Sequence, residues 1–195
     1  MFIRHEVSDS RPGIPSSGHG YLGTCGYNRL VSAPAHRKDA PKSVRCFVLT
    51  ISDTRTESND RSGDAIAEML TGAGHEVVGR AIVRDDPATV KNVVRAKEGD
   101  ADVIITTGGT GIASRDSTYE AIASLLDKRL DGFGELFRML SYAEIGSAAM
   151  LSRASAGAMG RTAVFSLPGS EHAVRLAVSK LILPEVGHVV RELRR

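Results

Sequence analysis

The chain has 195 residues, 42% of them hydrophobic and 25% charged, which suits one well-cored soluble domain plus a tail and excludes two full-sized domains. Its 25 basic residues nearly balance 23 acidic ones for a formal net charge of +2, which argues against nucleic acid as the partner, because such binders carry a basic excess on one face. The two cysteines, Cys25 and Cys46, stand far apart, so neither a disulfide scaffold nor a zinc module is expected.

Residues 1–40 read as a flexible tail. Thirteen of them are Gly, Ser or Pro, and their apolar residues have no period, so they cannot offset the entropy of being ordered. No signal-peptide core precedes the rest, and no run approaches the roughly 20 apolar residues of a membrane span. A cytoplasmic protein with no membrane contact is expected, its folded domain covering residues 41–195.

The apolar run 44–51 predicts a buried strand. Ser62 is the expected cap of a helix carrying Ile66, Met69 and Leu70, with Gly74 as its stop. Residues 76–83 predict a second strand, and Asp86 and Pro87 predict a helix start ahead of Val90, Val93 and Val94. Residues 102–106 predict a third strand. A glycine-rich loop follows, then an expected capping box of Ser117 and Glu120. A helix is expected over 134–145, a fourth strand over 162–167, and a helix opening at Ser170 that Pro184 interrupts. Strand and helix alternate at the rhythm of an α/β fold with a mostly parallel sheet covered on both faces.

In such a sheet the ligand site lies where the strands end, at the switch in strand order. The strand ends deliver Ser52-Asp53-Thr54, Arg84-Asp85-Asp86, Thr107-Gly108-Gly109-Thr110-Gly111 and Leu167-Pro168-Gly169-Ser170. The third is the richest. Its glycines let backbone amides approach an anion closely, Thr106, Thr107 and Thr110 add hydroxyl donors, and a helix start follows. It is not a P-loop, since no Lys follows at the required spacing. The partial dinucleotide fingerprint from Gly109 to Ser114 comes after the third strand and disfavours an NAD-dependent dehydrogenase.

Asp85 and Asp116 flank this loop in sequence. Two carboxylates beside a phosphate loop suit Mg²⁺-assisted phosphoryl or nucleotidyl transfer, since Mg²⁺ is held by one or two carboxylates plus phosphate oxygens. Each has a plainer alternative, a solvated loop acid for Asp85 and a helix-start acid for Asp116, while Asp86 reads as a cap. Arg115 and Arg153 are either phosphate partners or solvated surface charges.

These segments together resemble the MoaB/Mog family of molybdopterin-binding proteins over residues 40–192. The resemblance rests on Thr50-Ile51-Ser52-Asp53-Thr54-Arg55, the run 106–111, Ser114-Arg115-Asp116, Gly132-Phe133-Gly134-Glu135, Met150-Leu151-Ser152-Arg153 and Leu167-Pro168-Gly169-Ser170. Residues 133–146 look nearest the MoaB branch. Thr118-Tyr119-Glu120 departs from the Thr-Pro-Glu often found in the Mog branch.

The resemblance implies a three-layer α/β/α sandwich assembled as a homotrimer or homohexamer, with other molybdenum cofactor biosynthesis proteins as possible contacts. It implies that the terminal phosphate of molybdopterin attacks the α-phosphorus of MgATP, giving adenylyl-molybdopterin and pyrophosphate. Asp85 and Asp116 map onto the catalytic, metal-binding acids. Thr107, Gly108, Gly109, Thr110 and Gly111 map onto the ligand loop, with Ser52, Asp53, Arg115, Ser152, Pro168, Gly169 and Ser170 around it. The alternative is a non-catalytic molybdopterin-binding or partner-docking protein, which has no need of both acids.

Overall fold

Strand β1 (Arg45–Ile51) is buried at every residue after Arg45, because helices cover both its faces as they do for any central parallel strand. The structure, a computed structural model, describes residues 39–112 and 117–195. Cys46 lies inside β1, where burial pushes its thiol up to about 12. It stays protonated and packs as a small hydrophobe.

Helix α1 (Arg61–Gly72) is capped by Asp60 and not by Ser62. The Asp60 carboxylate accepts the Gly63 N–H at 3.0 Å, and Ser62 sits in the first turn with its hydroxyl directed at Asp60. Strand β2 (Glu76–Val83) has the expected bounds. Helix α2 (Pro87–Ala96) starts as its sequence requires, with the Thr89 N–H donating to Asp86 at 2.8 Å. Hydrogen bonds from the Thr89 side chain and then from its backbone hold the Asp86 carboxyl below the usual carboxylate range.

Strand β3 (Val103–Gly108) leads through the glycine loop to α3 (Thr118–Ala123). The expected capping box is absent: Ser117 holds the cap position without a side-chain bond, and Glu120 pairs with Arg153 instead.

Two strands were not anticipated. A short β4 (Lys128–Arg129) precedes α4 (Asp131–Ile145) and a 3₁₀ segment (Gly146–Leu151), and β5 (Ser155–Met159) follows. β5 pairs antiparallel with β6 (Thr162–Leu167) across Gly160-Arg161, and Gly160 has φ +55°. The run 162–167 is therefore the sixth strand.

Pro184 does not interrupt the last helix. Helix α5 (Glu171–Ala177) passes into a π-turn (Val178–Ile182) and on to α6 (Leu183–Arg194). The Leu183 N–H bonds Val178 O, five residues back. The wider ladder absorbs the proline's missing donor and ring, so the rod continues.

The sheet order is β2-β1-β3-β6-β5-β4. The first four strands are parallel; β5 runs antiparallel to β6, and β4 antiparallel to β5. Ile66, Leu70, Phe137, Val174 and Val186 fill one face, and Val90, Val94, Ile122 and Leu125 fill the other. The result is the expected three-layer α/β/α sandwich. β1 lies between β2 and β3, so the chain leaves it toward opposite sides and opens a crevice beyond the strand ends. Register aligns Ile51 with Val83 and Gly108, and Thr107 with Leu167. Among the described residues, no helix is long and apolar enough to cross a membrane.

Candidate functional site

The crevice holds a cavity of about 210 Å³ whose walls include Thr50, Ser52, Arg55, Ser62, Thr107 and Gly108. Gly108 has φ +95°, and a Cβ there would lie 2.1 Å from Ile51 O. Only glycine permits that approach. Gly169 meets the same spot from the fourth parallel strand: a Cβ on it would stand 3.4 Å from Gly108 Cα. The loops after β3 and β6 thus touch backbone to backbone. The Thr107 hydroxyl ties them by donating to Pro168 O at 3.1 Å.

The other strand ends are equally ordered. The Ser52 hydroxyl oxygen accepts the N–H groups of Thr54 and Arg55, both at 3.2 Å, a local turn that Ser at this position favours. The Asp85 N–H donates to Asp53 Oδ1 at 3.3 Å, which joins the ends of β1 and β2. Asp85 in turn accepts the Thr118 hydroxyl at 2.5 Å. Thr118 is the first residue of α3, and its methyl lies 2.9 Å from where a Gly109 Cβ would be. Asp85 and Gly109 therefore meet at one threonine, and Asp53 joins them through the Asp85 N–H.

Arg153 sits against the glycine loop. Its guanidinium stacks over the Tyr119 ring at 4.5 Å, pairs with Glu120, and donates to Thr110 O at 3.1 Å and to Gly111 O. It binds the glycine loop itself. Ser152, beside it, accepts the Ala154 N–H at 3.3 Å on its hydroxyl. Ser170 caps α5 by accepting the Ala173 N–H at 3.2 Å. Arg115 and Asp116 lie outside the described residues.

The threonine donors expected of the loop are partly a misreading. Side chains alternate along a strand, so Thr106 faces the α2–α3 layer, fully buried, and has no hydrogen-bond partner among the described residues. Thr107 faces the cavity, but its proton is engaged by Pro168 O.

Sequence reasoning missed Asp60. Its side chain is buried, with the residue only 1% exposed. It accepts from Thr50 Oγ1 at 2.7 Å and from Arg80 at 3.3 Å, besides Gly63 and Ser62. Its partners are 10 and 20 residues away, so local pattern offered no signal beyond a cap.

Among the described residues no group of three His, Cys, Asp or Glu side chains is arranged to hold a metal ion. Mg²⁺ requires less, since one or two carboxylates suffice when phosphate oxygens complete the shell. Asp85 and Asp53 are two carboxylates at neighbouring strand ends, joined through the Asp85 N–H.

Residues 47–188 match the family described as "Probable molybdopterin binding domain". Molybdenum cofactor biosynthesis protein B of Bacillus cereus is 57% identical over 169 residues, covering 85% of this chain and 99% of its own. The crystal structure of the tungsten cofactor synthesizing protein MoaB from Pyrococcus furiosus is 43% identical with a TM-score of 0.71, over 80% of this chain and 100% of that one. The molybdopterin biosynthesis Mog protein from Mycobacterium ulcerans is 30% identical with a TM-score of 0.69, over 76% and 98%. With this sheet, this crevice and these relatives, the chain belongs to the MoaB/Mog family of molybdenum cofactor biosynthesis proteins, on its MoaB side.

Proposed function

We propose that the protein binds molybdopterin at the crevice and adenylylates it with MgATP. One observation carries this reading: Asp85, bonded to Thr118 and through its N–H to Asp53, stands beside a turn in which Gly108 and Gly109 both have positive φ. Amides of the Gly108–Gly111 run attract phosphate oxygens. Asp85, with Asp116 two residues before Thr118 in sequence, is the proposed catalytic pair. Bound Mg²⁺ would offset charge on the transferred group. The chain's own task is to hold the molybdopterin phosphate in line with the α-phosphorus of ATP, so that the new P–O bond forms as the bond to pyrophosphate breaks. Arg153 keeps the loop in shape for this through its carbonyls.

The test is an assay of purified protein with molybdopterin and MgATP, following pyrophosphate. Asp116→Asn is nearly isosteric and should leave stability within roughly 0.5 kcal/mol of the parent. Turnover should fall on the order of a hundredfold or more, with binding less affected. Normal turnover in the variant removes Asp116 from the mechanism. A parent that binds molybdopterin without releasing pyrophosphate makes the protein a non-catalytic binder of the same pathway.

The proposal extends to a homotrimer or a dimer of trimers. On α4 and the 3₁₀ segment, Met139, Tyr142 and Met150 are 60%, 65% and 78% exposed, and Leu136, Ile145 and Leu151 lie exposed alongside. A contiguous apolar surface of this kind is usually covered by a partner. Light scattering at micromolar concentration should give a multiple of 20.8 kDa; a single chain's mass defeats the idea.

A further inference from the structure

The polar groups lining the switch-point cavity do not all point the same way. A hydroxyl has one proton and two lone pairs. Thr50 gives its proton to Asp60 Oδ2 at 2.7 Å, Ser62 gives its proton to Asp60 Oδ1 at 3.3 Å, and Thr107 gives its proton to Pro168 O. Each is directed into the protein; Thr107 is fully buried, so it is Thr50 and Ser62, at the edge of the cavity, that have only lone pairs left for a ligand.

Asp60 fixes this arrangement. Capping a helix needs one carboxylate oxygen and no burial: Asp86 caps α2 from an exposed position. Asp60 is buried, and its second oxygen reaches the end of β1. Burying a carboxylate is costly unless every lone pair finds a donor. Here Gly63, Ser62, Thr50 and Arg80 supply four. With four donors around it, the carboxylate has nothing to give back, and Thr50 and Ser62 cannot reverse. The fit is tight as well, since a Cβ on Gly63 would lie 2.1 Å from Asp60 Oδ2 and 2.7 Å from Thr50 Oγ1.

We propose that the Thr50–Ser62 wall is an acceptor surface that takes the N–H edge of an amino-substituted nitrogen heterocycle, with Asp60 as the positioning residue that sets its polarity. This rests on the molybdopterin reading and divides the ligand. Phosphate oxygens only accept, so the wall repels them and they go to the loop amides. The heterocyclic end, with its amino and ring N–H donors, goes to the wall.

The experiment is calorimetric titration of the whole protein with pterin and with its 2-dimethylamino derivative, which lacks the amino protons. The parent should favour pterin by about fivefold or more, the effect of one net hydrogen bond. Thr50→Val keeps the shape, removes the lone pairs and should abolish that preference, whereas Thr50→Ser should retain it. Any steric penalty of the methyl groups persists in Thr50→Val and so is separated from the hydrogen bond. Asp60→Asn keeps an oxygen for the cap and turns an amide N–H on Thr50, sending the Thr50 proton into the cavity and reducing the preference; if it does not fold, the two Thr50 variants decide. The inference is overturned if the parent does not bind pterin or does not distinguish the probes, if Thr50→Val still distinguishes them, or if pyrophosphate displaces pterin and Thr50→Val changes its affinity. Titration with molybdopterin separates the two readings. No binding sinks the proposed function, while binding unchanged by Thr50→Val sinks the wall's polarity alone.

Discussion

The two edges of the sheet handle their polar groups in opposite ways. At the edge where the parallel strands begin, Asp102 accepts the Arg45 N–H at 2.9 Å, the Arg45 guanidinium at 3.2 Å and Arg194 at 2.8 Å. Thr162 closes the same edge by donating to Ala101 O at 2.9 Å. These groups are answered within the chain, and the bonds tie the first strand and the last helix to the loop before β3. At the opposite edge the bonds among Asp60, Thr50, Thr107 and Pro168 hold the strand ends around a cavity lined by Ser52, Arg55, Ser62 and Gly108. One edge is built to stay closed and the other to meet something.

The difference can be broken most severely at Gly108. Gly108→Ala places a methyl against Ile51 O in a left-handed backbone, and should destabilise the fold by about 3 kcal/mol or more. Denaturant unfolding measures it; a loss below about 1 kcal/mol would mean that the strand ends can part and are not held backbone to backbone.

Asp102→Asn should cost about 1–3 kcal/mol of stability, while changing ligand affinity little. The pH dependence has a definite sign. Burial opposes ionisation of Asp102, but its bonds to Arg45 and Arg194 outweigh it and hold the carboxyl below its usual range. The group binds its proton more weakly folded than unfolded, so its stabilisation is complete above about pH 4 and fades as the pH falls through the folded value. The parent should lose urea resistance across that range more steeply than Asp102→Asn. Equal slopes would remove Asp102 from the account of acid stability.

The smallest effect should come from the N-terminal residues. A chain starting at Ala35 should keep its unfolding midpoint and its ligand affinity, since the family match begins only at residue 47. A loss above about 2 kcal/mol would make that segment a packed element.

The fold was legible where burial on both faces produces unbroken apolar runs, as in β1 and β6, which Asp53 and Pro168 closely follow. β5 escaped because Ser-Ala-Gly-Ala-Met has little β-branched or aromatic character. Its one readable signal was Gly160-Arg161, a two-residue turn with glycine first. The strand ends that converge on the crevice could be read from sequence because a parallel sheet brings them together whatever their register. The direction of each hydroxyl could not. It depends on the face on which Thr106 and Thr107 fall and on partners such as Pro168, 61 residues from Thr107. Asp60 and Ser62 both look like caps in isolation. Only the distant Thr50 and Arg80 distinguish them.

The closeness of Gly108 to Ile51 O also bears on how such a site changes over evolutionary time. Where the next strand's carbonyl occupies the place of a side chain, no substitution can add a new contact to a ligand. Variation in what relatives recognise must therefore enter from positions that project side chains into the cavity, such as Arg55 and Ser62. The glycine floor has no room for a side chain at Gly108, whatever the chemistry above it.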